Sequence, residues 1–210
     1  MATFEAQVEG LTGLTIGGSG TPTQAELTQF LTDGAKELIN QFPIDLLKMC
    51  SAEQTFTSVQ SGSEAETMNT GKILSVFRSD GDIDQPCRKI SSNNRGRVLD
   101  EDDMSYASIS DPIYYTINNK INVLPNGGAC KYSEVQFPAP AFGNDAIAVF
   151  PDEAEYLVVL YGAVKSIEHK IASYSIDDED VELSASLSTV LASLRLDYDA
   201  GVKILIKGSA

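Results

Sequence analysis

Two amphipathic helical patterns near the C-terminus constrain the fold of this chain more than any other feature. From Phe150 to Tyr174 the apolar residues recur at alternating steps of three and four, which is the spacing of a helix seam. These residues are Leu157, Leu160, Val164, Ile167, Ile171 and Tyr174. A second such set follows an acidic turn at 176–180 and comprises Leu183, Leu187, Val190, Leu191, Leu194 and Tyr198. The short connection predicts an antiparallel helix pair.

A third helical pattern begins near the N-terminus. Thr23 and Glu26 have the spacing of a capping box, and Pro22 suits a first turn. Apolar residues then recur every three or four positions until Pro43, which predicts a helix of about 20 residues. The segment from Ile44 to Cys50 predicts one further short helical turn.

Between Ser51 and Asp145 the pattern changes to short β-prone runs separated by Ser, Gly, Asn and Asp. The clearest run is YYTINNKINVLP, in which Asn118 and Asn119 tolerate the positive φ of a tight hairpin. The predicted fold class is therefore α+β. We expect an antiparallel helical bundle of three main helices with an inserted antiparallel β region and a C-terminal strand-like tail.

The same patterns predict the domain organisation. Residues 1–20 form a flexible N-terminal arm, because five glycines in GLTGLTIGGSG raise the conformational cost of a fixed structure. Residues 21–50 and 146–200 form the helical bundle, and residues 51–145 form the inserted β-rich region. Residues 201–210, GVKILIKGSA, form a docking tail.

The tail is rich in β-branched residues and lacks any acidic side chain. We expect a strand there, starting at Gly201. An apolar strand must pair its backbone with a partner, which is either the protein's own sheet or a neighbouring molecule. Both alternatives stay open from the sequence.

The charge of the chain narrows its partners. Its 210 residues contain 15 Lys and Arg against 30 Asp and Glu, for a net charge of -15. This disfavours a conventional nucleic-acid-binding protein, which neutralises phosphates with a basic surface. It fits either ordinary solubilising charge or the acidic wall of a passage through which DNA slides without binding.

Two kinds of targeting segment are not expected. No run approaches the roughly 18 consecutive apolar residues of a membrane-spanning helix, so we predict no membrane partner. The first twenty residues lack the basic start and apolar block of a secretion signal, so we expect synthesis in the cytoplasm.

No catalytic constellation stands out in the sequence. The single histidine, His169, lies between Glu168 and Lys170 and is expected on a helix surface without a catalytic role. The motifs GxSxG, HExxH and GxxxxGK[ST] are absent. We therefore predict no enzyme, no catalytic residue, no cofactor and no cofactor-binding residue.

Cysteines and acidic clusters do not predict a metal site. Cys50, Cys87 and Cys130 are few and scattered, and we expect all three to be reduced and structural. The run 177–180 lacks the glycine of a calcium loop and suits a helix cap. Asp80, Asp82 and Asp84 alternate, but no bidentate glutamate follows at the required offset.

An enzyme remains an alternative hypothesis. It requires a carboxylate pair in a cleft, for example between the DEDDMSY loop, Asp100 to Asp103, and Asp111. Nothing in the sequence brings these side chains into one pocket.

The order of the elements and three segments carry a resemblance to a known family. The segments are PTQAELTQFLTDGAKELINQFP, DPIYYTINNKINVLP and PDEAEYLVVLYGAVKSIEH. With the helices that flank the β-rich stretch, the chain over residues 20–200 resembles the head-to-tail adaptor, or neck, proteins of tailed bacteriophages.

The resemblance implies a structural virion protein of the neck. Members of the family form a homo-oligomeric ring, commonly of twelve subunits, between the portal protein and the tail or nozzle protein. Double-stranded DNA passes through the ring without specific binding. The C-terminal tail of such proteins often docks on the portal, and here that role would fall to Val202, Lys203, Ile204, Ile206 and Lys207.

A second interpretation is kept beside this one. The chain would then be a different virion or cellular protein-interaction module without enzymatic activity. Binding to a portal protein distinguishes the two interpretations.

Overall fold

The structure is a computed structural model that describes residues 2–58, 66–81, 83–177 and 181–208. Within these ranges the chain forms five α-helices and eight strands, and the strands make two four-stranded sheets. The chain divides into two compact units. The helical unit comprises Met1–Cys50 and Phe137–Ala210, and the β unit comprises Ser51–Gln136.

The helical unit is organised around one long helix. Its helices are α1 (Phe4–Thr12), α2 (Gln24–Gln41), α3 (Ile44–Met49), α4 (Asp152–Asp177) and α5 (Val181–Gly208). Helix α4 packs against α1, α2 and α5. The largest fully buried side chains of the unit line these contacts, namely Phe4, Val8, Leu27, Leu31, Leu38, Ile39, Leu160 and Ile167.

Helix α2 begins and ends where the sequence predicts. The Oγ1 of Thr23 accepts a hydrogen bond from the Glu26 N–H at 3.3 Å, and the Glu26 carboxylate accepts one from the Thr23 N–H at 2.7 Å. This is the predicted capping box. The helix stops before Pro43, and the short helix α3 follows, so both predictions are confirmed.

Helices α4 and α5 run antiparallel, as the sequence predicts. The rings of Tyr161 and Tyr198 lie 5.9 Å apart, and a guanidinium nitrogen of Arg195 donates to Glu168 Oε1 at 2.6 Å. The start of α4 also carries the expected acidic first turn, Asp152, Glu153 and Glu155. The predicted acidic turn between the helices falls on residues 178–180, which lie outside the described residues.

The prediction of a flexible N-terminal arm is wrong for most of residues 1–20. Helix α1 begins at Phe4 behind the N-cap Thr3 and ends at the left-handed Gly13. Phe4 and Val8 are fully buried one turn apart. The glycine-rich stretch that follows is fixed to α4, because Lys170 Nζ donates to the Ser19 carbonyl at 2.7 Å. The free energy gained by burying two apolar side chains outweighs the conformational entropy that the glycines lose on folding.

The β unit contains all of the described strands. They are β1 (Ser51–Thr57), β2 (Glu66–Thr67), β3 (Ile73–Ser79), β4 (Asp84–Pro86), β5 (Arg88–Lys89), β6 (Ile113–Ile117), β7 (Lys120–Leu124) and β8 (Ala129–Val135). One sheet has the order β1-β8-β3-β4 and the other β2-β7-β6-β5. The pairing is antiparallel except between β5 and β6, which are parallel.

The predicted hairpin is confirmed. Strands β6 and β7 pair with Ile117 opposite Lys120, which leaves Asn118 and Asn119 as a two-residue turn. Their φ angles are 52° and 57°, as a type I′ turn requires. The Asn119 side chain also donates to the Met68 carbonyl at 2.7 Å, which ties the turn to the end of β2.

A buried carboxylate holds part of the β unit together. Glu134 on β8 is fully buried, and its carboxylate accepts backbone N–H bonds from Asn69, Thr70 and Gly71. The Thr70 hydroxyl donates to it as well, at 3.1 Å. The turn before β3 is therefore fixed to the central strand of its sheet.

The predicted fold class is wrong beyond its α+β character. The described residues form five helices and two four-stranded sheets, not a three-helix bundle with one inserted antiparallel region. The C-terminal strand is also wrong, because α5 continues to Gly208. Short local patterns do not reveal the short helix α1, the very short strands β2 and β4, or the parallel pairing of β5 with β6.

Candidate interaction sites

The C-terminal end of α5 is helical where the sequence predicts a strand. We call residues 200–208 the α5 terminal segment. A strand would place Val202, Ile204 and Ile206 on one face, but in a helix Val202 and Ile206 share one face and Ile204 lies on the opposite one. Val202 is buried in its own unit, whereas Ile204 is 72% exposed.

Packing explains why the helix continues through Gly201. A Cβ at this position would lie 2.4 Å from Leu157 Cδ2, so the lack of a side chain lets α5 lie close against α4. Glycine costs a helix about 1 kcal/mol relative to alanine. Burial of Val202 contributes about 1.5 to 3 kcal/mol, which offsets that cost.

Four of the five residues predicted to dock on a portal therefore remain on the protein surface. Ile204 and Ile206 are exposed, and so are Lys203 and Lys207. The two lysines are four residues apart and share one helix face. Neither has an ion-pair partner among the described residues. Further back on α5, Leu196 is 70% exposed.

A second exposed apolar surface lies in the β unit, on the segment from Leu99 to Asp111, which we call the 99–111 loop. Leu99 is 61% exposed, and Met104 is fully exposed. Tyr106 and Ile109 are exposed as well. Large apolar side chains are normally withdrawn from water, so their accumulation in one loop indicates a contact surface.

This loop is held in place by its own hydrogen bonds. The Ala107 N–H donates to the Val98 carbonyl at 2.9 Å, and the Tyr106 N–H donates to the Asp103 carbonyl at 2.9 Å. Val98 and Ala107 are buried in a cluster with Ile113 and Leu124. The exposed apolar side chains thus project from a fixed backbone.

Acidic side chains surround these apolar ones. Asp103 pairs with Arg97 at 2.8 Å and also accepts bonds from the hydroxyl and the N–H of Ser105. The Ser105 and Arg97 donors lower the pKa of Asp103 to about 2. Asp100, Glu101 and Asp102 are exposed and have no cationic partner among the described residues.

An open groove of about 660 Å³ adjoins the loop. Tyr106 and Ile109 line it from the loop, Gln85 lines it from β4, and Pro125 lines it just after the end of β7. The sequence indicates a loop here but not this surface. The available signal is the presence of Leu99, Met104 and Ile109 in a stretch with no strand or helix period.

The carboxylates considered for an enzyme do not form a pair. Asp103 is bound to Arg97, whereas Asp111 is bound to Arg88 through two contacts of 2.8 and 3.4 Å. Asp102 donates its own N–H to the Asp100 carboxylate. Three of the four loop acids, Asp100, Glu101 and Asp103, therefore accept local hydrogen bonds, and the Asp111 carboxylate is held by a different arginine.

The acids considered for a metal site do not form one among the described residues either. Asp84 is paired with Lys131 at 2.8 Å, Asp82 lies outside the described residues, and so do residues 178–180 of the acidic turn. In the described ranges, no group of three or more His, Cys, Asp or Glu side chains is arranged to hold an ion.

The single histidine, His169, is on α4 and faces the start of α2. His169 Nε2 is 3.7 Å from Glu26 Oε1, and its Nδ1 is buried with no hydrogen-bond partner among the described residues. The Glu26 carboxylate is already engaged by Thr23, whose backbone and hydroxyl bonds lower the pKa of Glu26. The contact joins two helices at the surface of the unit.

The cysteines are free thiols, as predicted. Cys50 and Cys130 are buried and Cys87 is half-buried. Burial raises the pKa of Cys50 to about 11 and that of Cys87 to about 12, and it also raises the pKa of Cys130. All three are therefore protonated at neutral pH and are poor nucleophiles.

Among the residues that the structure describes, no helix is both long enough and apolar enough to cross a membrane.

Two comparisons with known proteins were informative only in finding no match. No protein-family model matches the chain, and no curated protein matches it.

Proposed function

We propose that this chain is a structural adaptor of a phage neck. In this role it forms a ring between the portal protein and the tail or nozzle protein, around the channel through which double-stranded DNA passes. The observation that carries the proposal is the presence of an exposed apolar surface in each unit, the α5 terminal segment and the 99–111 loop. A protein that joins subunits needs such surfaces, whereas an isolated monomer does not.

The charge of the chain supports the same function. With a net charge of -15, the protein repels the phosphate backbone, which keeps a passing duplex from adhering. The α5 terminal segment differs from this background, because it holds two lysines and no acidic side chain. We assign this segment to a contact with another protein subunit of the neck. That subunit could be the portal protein or a second copy of this chain.

Electron microscopy of the protein mixed with the portal ring encoded in the same genome tests the function. We expect added mass that caps the portal with matching symmetry, and mass photometry of the protein alone gives the reference. A folded protein that adds no mass to the portal contradicts the adaptor function. The remaining interpretation is then a different virion or cellular interaction module.

A matched pair of variants tests the role of α5. Ile204→Asp places a charge on the exposed terminal segment and should weaken assembly by about tenfold or more. Ala185→Asp places the same charge on an exposed site of the same helix, about 28 Å away along its axis, and should leave assembly unchanged. Equal effects of the two variants contradict the assignment.

A further inference from the structure

We infer that the α5 terminal segment of one copy of this chain docks on the 99–111 loop of a second copy. This rests on the proposed function in one respect, that the α5 terminal segment contacts a protein subunit. It adds the identity of that subunit and the surface that receives it.

The receiving surface is apolar and already ordered. Leu99 and Met104 are largely or fully exposed, and Ile109 extends the apolar surface to the groove. The backbone bonds of Ala107 and Tyr106 fix the loop before any partner binds. Docking on a preformed loop loses little conformational entropy, which favours association.

Charge selects the kind of partner that fits this loop. Two of its acids, Asp103 and Asp111, are neutralised by Arg97 and Arg88. Asp100, Glu101 and Asp102 keep their charge exposed. A partner segment must therefore combine aliphatic and cationic side chains, because an acidic or neutral segment would leave these carboxylates uncompensated.

The α5 terminal segment has this combination. Lys203 and Lys207 lie about 6 Å apart along the helix axis, and Ile204 lies beside them. Leu196 lies about 12 Å before Ile204 and extends the exposed apolar surface.

Three other lysines of the chain are already engaged. Lys131 is bound to Asp84, Lys165 to Glu168, and Lys170 to the Ser19 carbonyl. Among the described residues of the helical unit, Lys36 on α2 is also exposed without an ion pair, but it is a single cation. Lys203 and Lys207 form a pair of such cations beside Ile204, which is 72% exposed.

The two surfaces are different, so the contact is heterologous. Each copy offers one α5 terminal segment and one 99–111 loop, and each contact leaves one of each free for the next copy. Repetition of such a contact produces a closed ring or an open filament. The contact thereby accounts for a ring without a separate interface.

The test uses two charge-reversed forms of the full chain. One carries Lys203→Glu and Lys207→Glu, and the other carries Asp100→Lys and Asp102→Lys. Self-association is measured by sedimentation velocity at protein concentrations up to about 1 mM, where a contact with a Kd of about 1 mM is half formed, and on the portal ring by electron microscopy. Each form should associate about tenfold or more weakly than wild type, and Ala185→Asp should not.

Mixing the two forms provides the decisive result. In the mixture, the unaltered loop of the first form meets the unaltered α5 segment of the second, and the reversed pair is complementary again. Association should therefore return, and with it lateral contacts on the portal. If mixing restores nothing, or if neither form differs from wild type, the inference is wrong.

The outcomes also separate this inference from the proposed function. One outcome is that the form with Lys203→Glu and Lys207→Glu no longer binds the portal, while the form with Asp100→Lys and Asp102→Lys keeps its lateral contacts. The α5 terminal segment then binds the portal and not a second copy of this chain. The inference then fails and the adaptor function stands. If wild type neither self-associates nor caps the portal, both fail.

Discussion

In the helical unit the long helices pack through fully buried aliphatic side chains, whereas in the β unit a buried carboxylate connects a turn to a central strand. Leu31, Leu38 and Ile167 exemplify the first arrangement, and Glu134 exemplifies the second. Substitutions in an apolar core lower the free energy of unfolding in proportion to the number of atoms that they remove or add. A buried charge that serves several backbone donors loses far more when it is removed, because those donors are left unpaired.

The largest effect is therefore expected at Glu134. Glu134→Ala removes the acceptor of three backbone N–H groups, each of which costs about 1 to 3 kcal/mol when left unpaired, and should destabilise the β unit by about 3 to 5 kcal/mol. Hydrogen exchange resolved by peptide measures this in the full chain, since loss of protection should appear at 66–79 and 129–136. Equal loss of protection in α2 and α4 would contradict the separate origin of stability in the two units.

The same residue gives the β unit an acid dependence. Burial alone would raise the pKa of Glu134, but the backbone N–H groups of Thr70, Asn69 and Gly71 and the Thr70 hydroxyl outweigh burial and lower it. A folded pKa below the unfolded value means that this stabilisation is complete above the unfolded pKa, about 4.3, and is lost as the pH falls through the folded pKa. Glu134→Gln should flatten this dependence between pH 5 and the acid limit, in the same peptides.

An intermediate effect is expected where α2 crosses α4. A Cβ at Gly34 would lie 2.9 Å from Tyr161 Cδ1 and 3.0 Å from its Cβ. Gly34→Ala should therefore destabilise the helical unit by about 1 to 3 kcal/mol, although alanine is the better helix former. Urea unfolding followed by circular dichroism at the helical band measures the change.

The control for this substitution is Gly10→Ala in α1. Gly10 is exposed and has no atom within 4 Å of an added Cβ. Only the difference in helix propensity then acts, and the free energy of unfolding of the variant should be higher by about 0.5 to 1 kcal/mol. If the two alanine variants shift stability in the same direction, helix packing at Gly34 is not the constraint.

The contrast between the units also explains what could be predicted from the sequence. The Thr23–Glu26 capping box and the Asn118–Asn119 hairpin are local, because each depends on residues within a few positions. The end of α5 is not local. Gly201 stays helical because it packs against Leu157, which is far away in the sequence.

The buried carboxylate and the 99–111 loop illustrate the same limit. Glu134 lies on one strand face with the buried Cys130 and Tyr132, so its position in the alternation was a usable signal. The hydrogen-bond donors to Glu134 could not be predicted from the sequence, because they come from a turn some sixty residues earlier in the chain. Exposure of Leu99 and Met104 likewise depends on how the loop closes on Val98 and Ala107.

The smallest effect is expected for the same Glu→Gln change at the surface of the helical unit. Glu168 accepts from Arg195 at 2.6 Å and from Lys165 at 2.9 Å. Partial burial raises the pKa of Glu168, but these two bonds outweigh it and lower the pKa. Exposed pairs are screened by water and salt, so Glu168→Gln should cost less than about 1 kcal/mol, and less still at 1 M salt. A double-mutant cycle with Arg195→Gln isolates the pair. A coupling as large as the loss expected for Glu134→Ala would show that ion pairs, and not only apolar packing, hold α5 to α4.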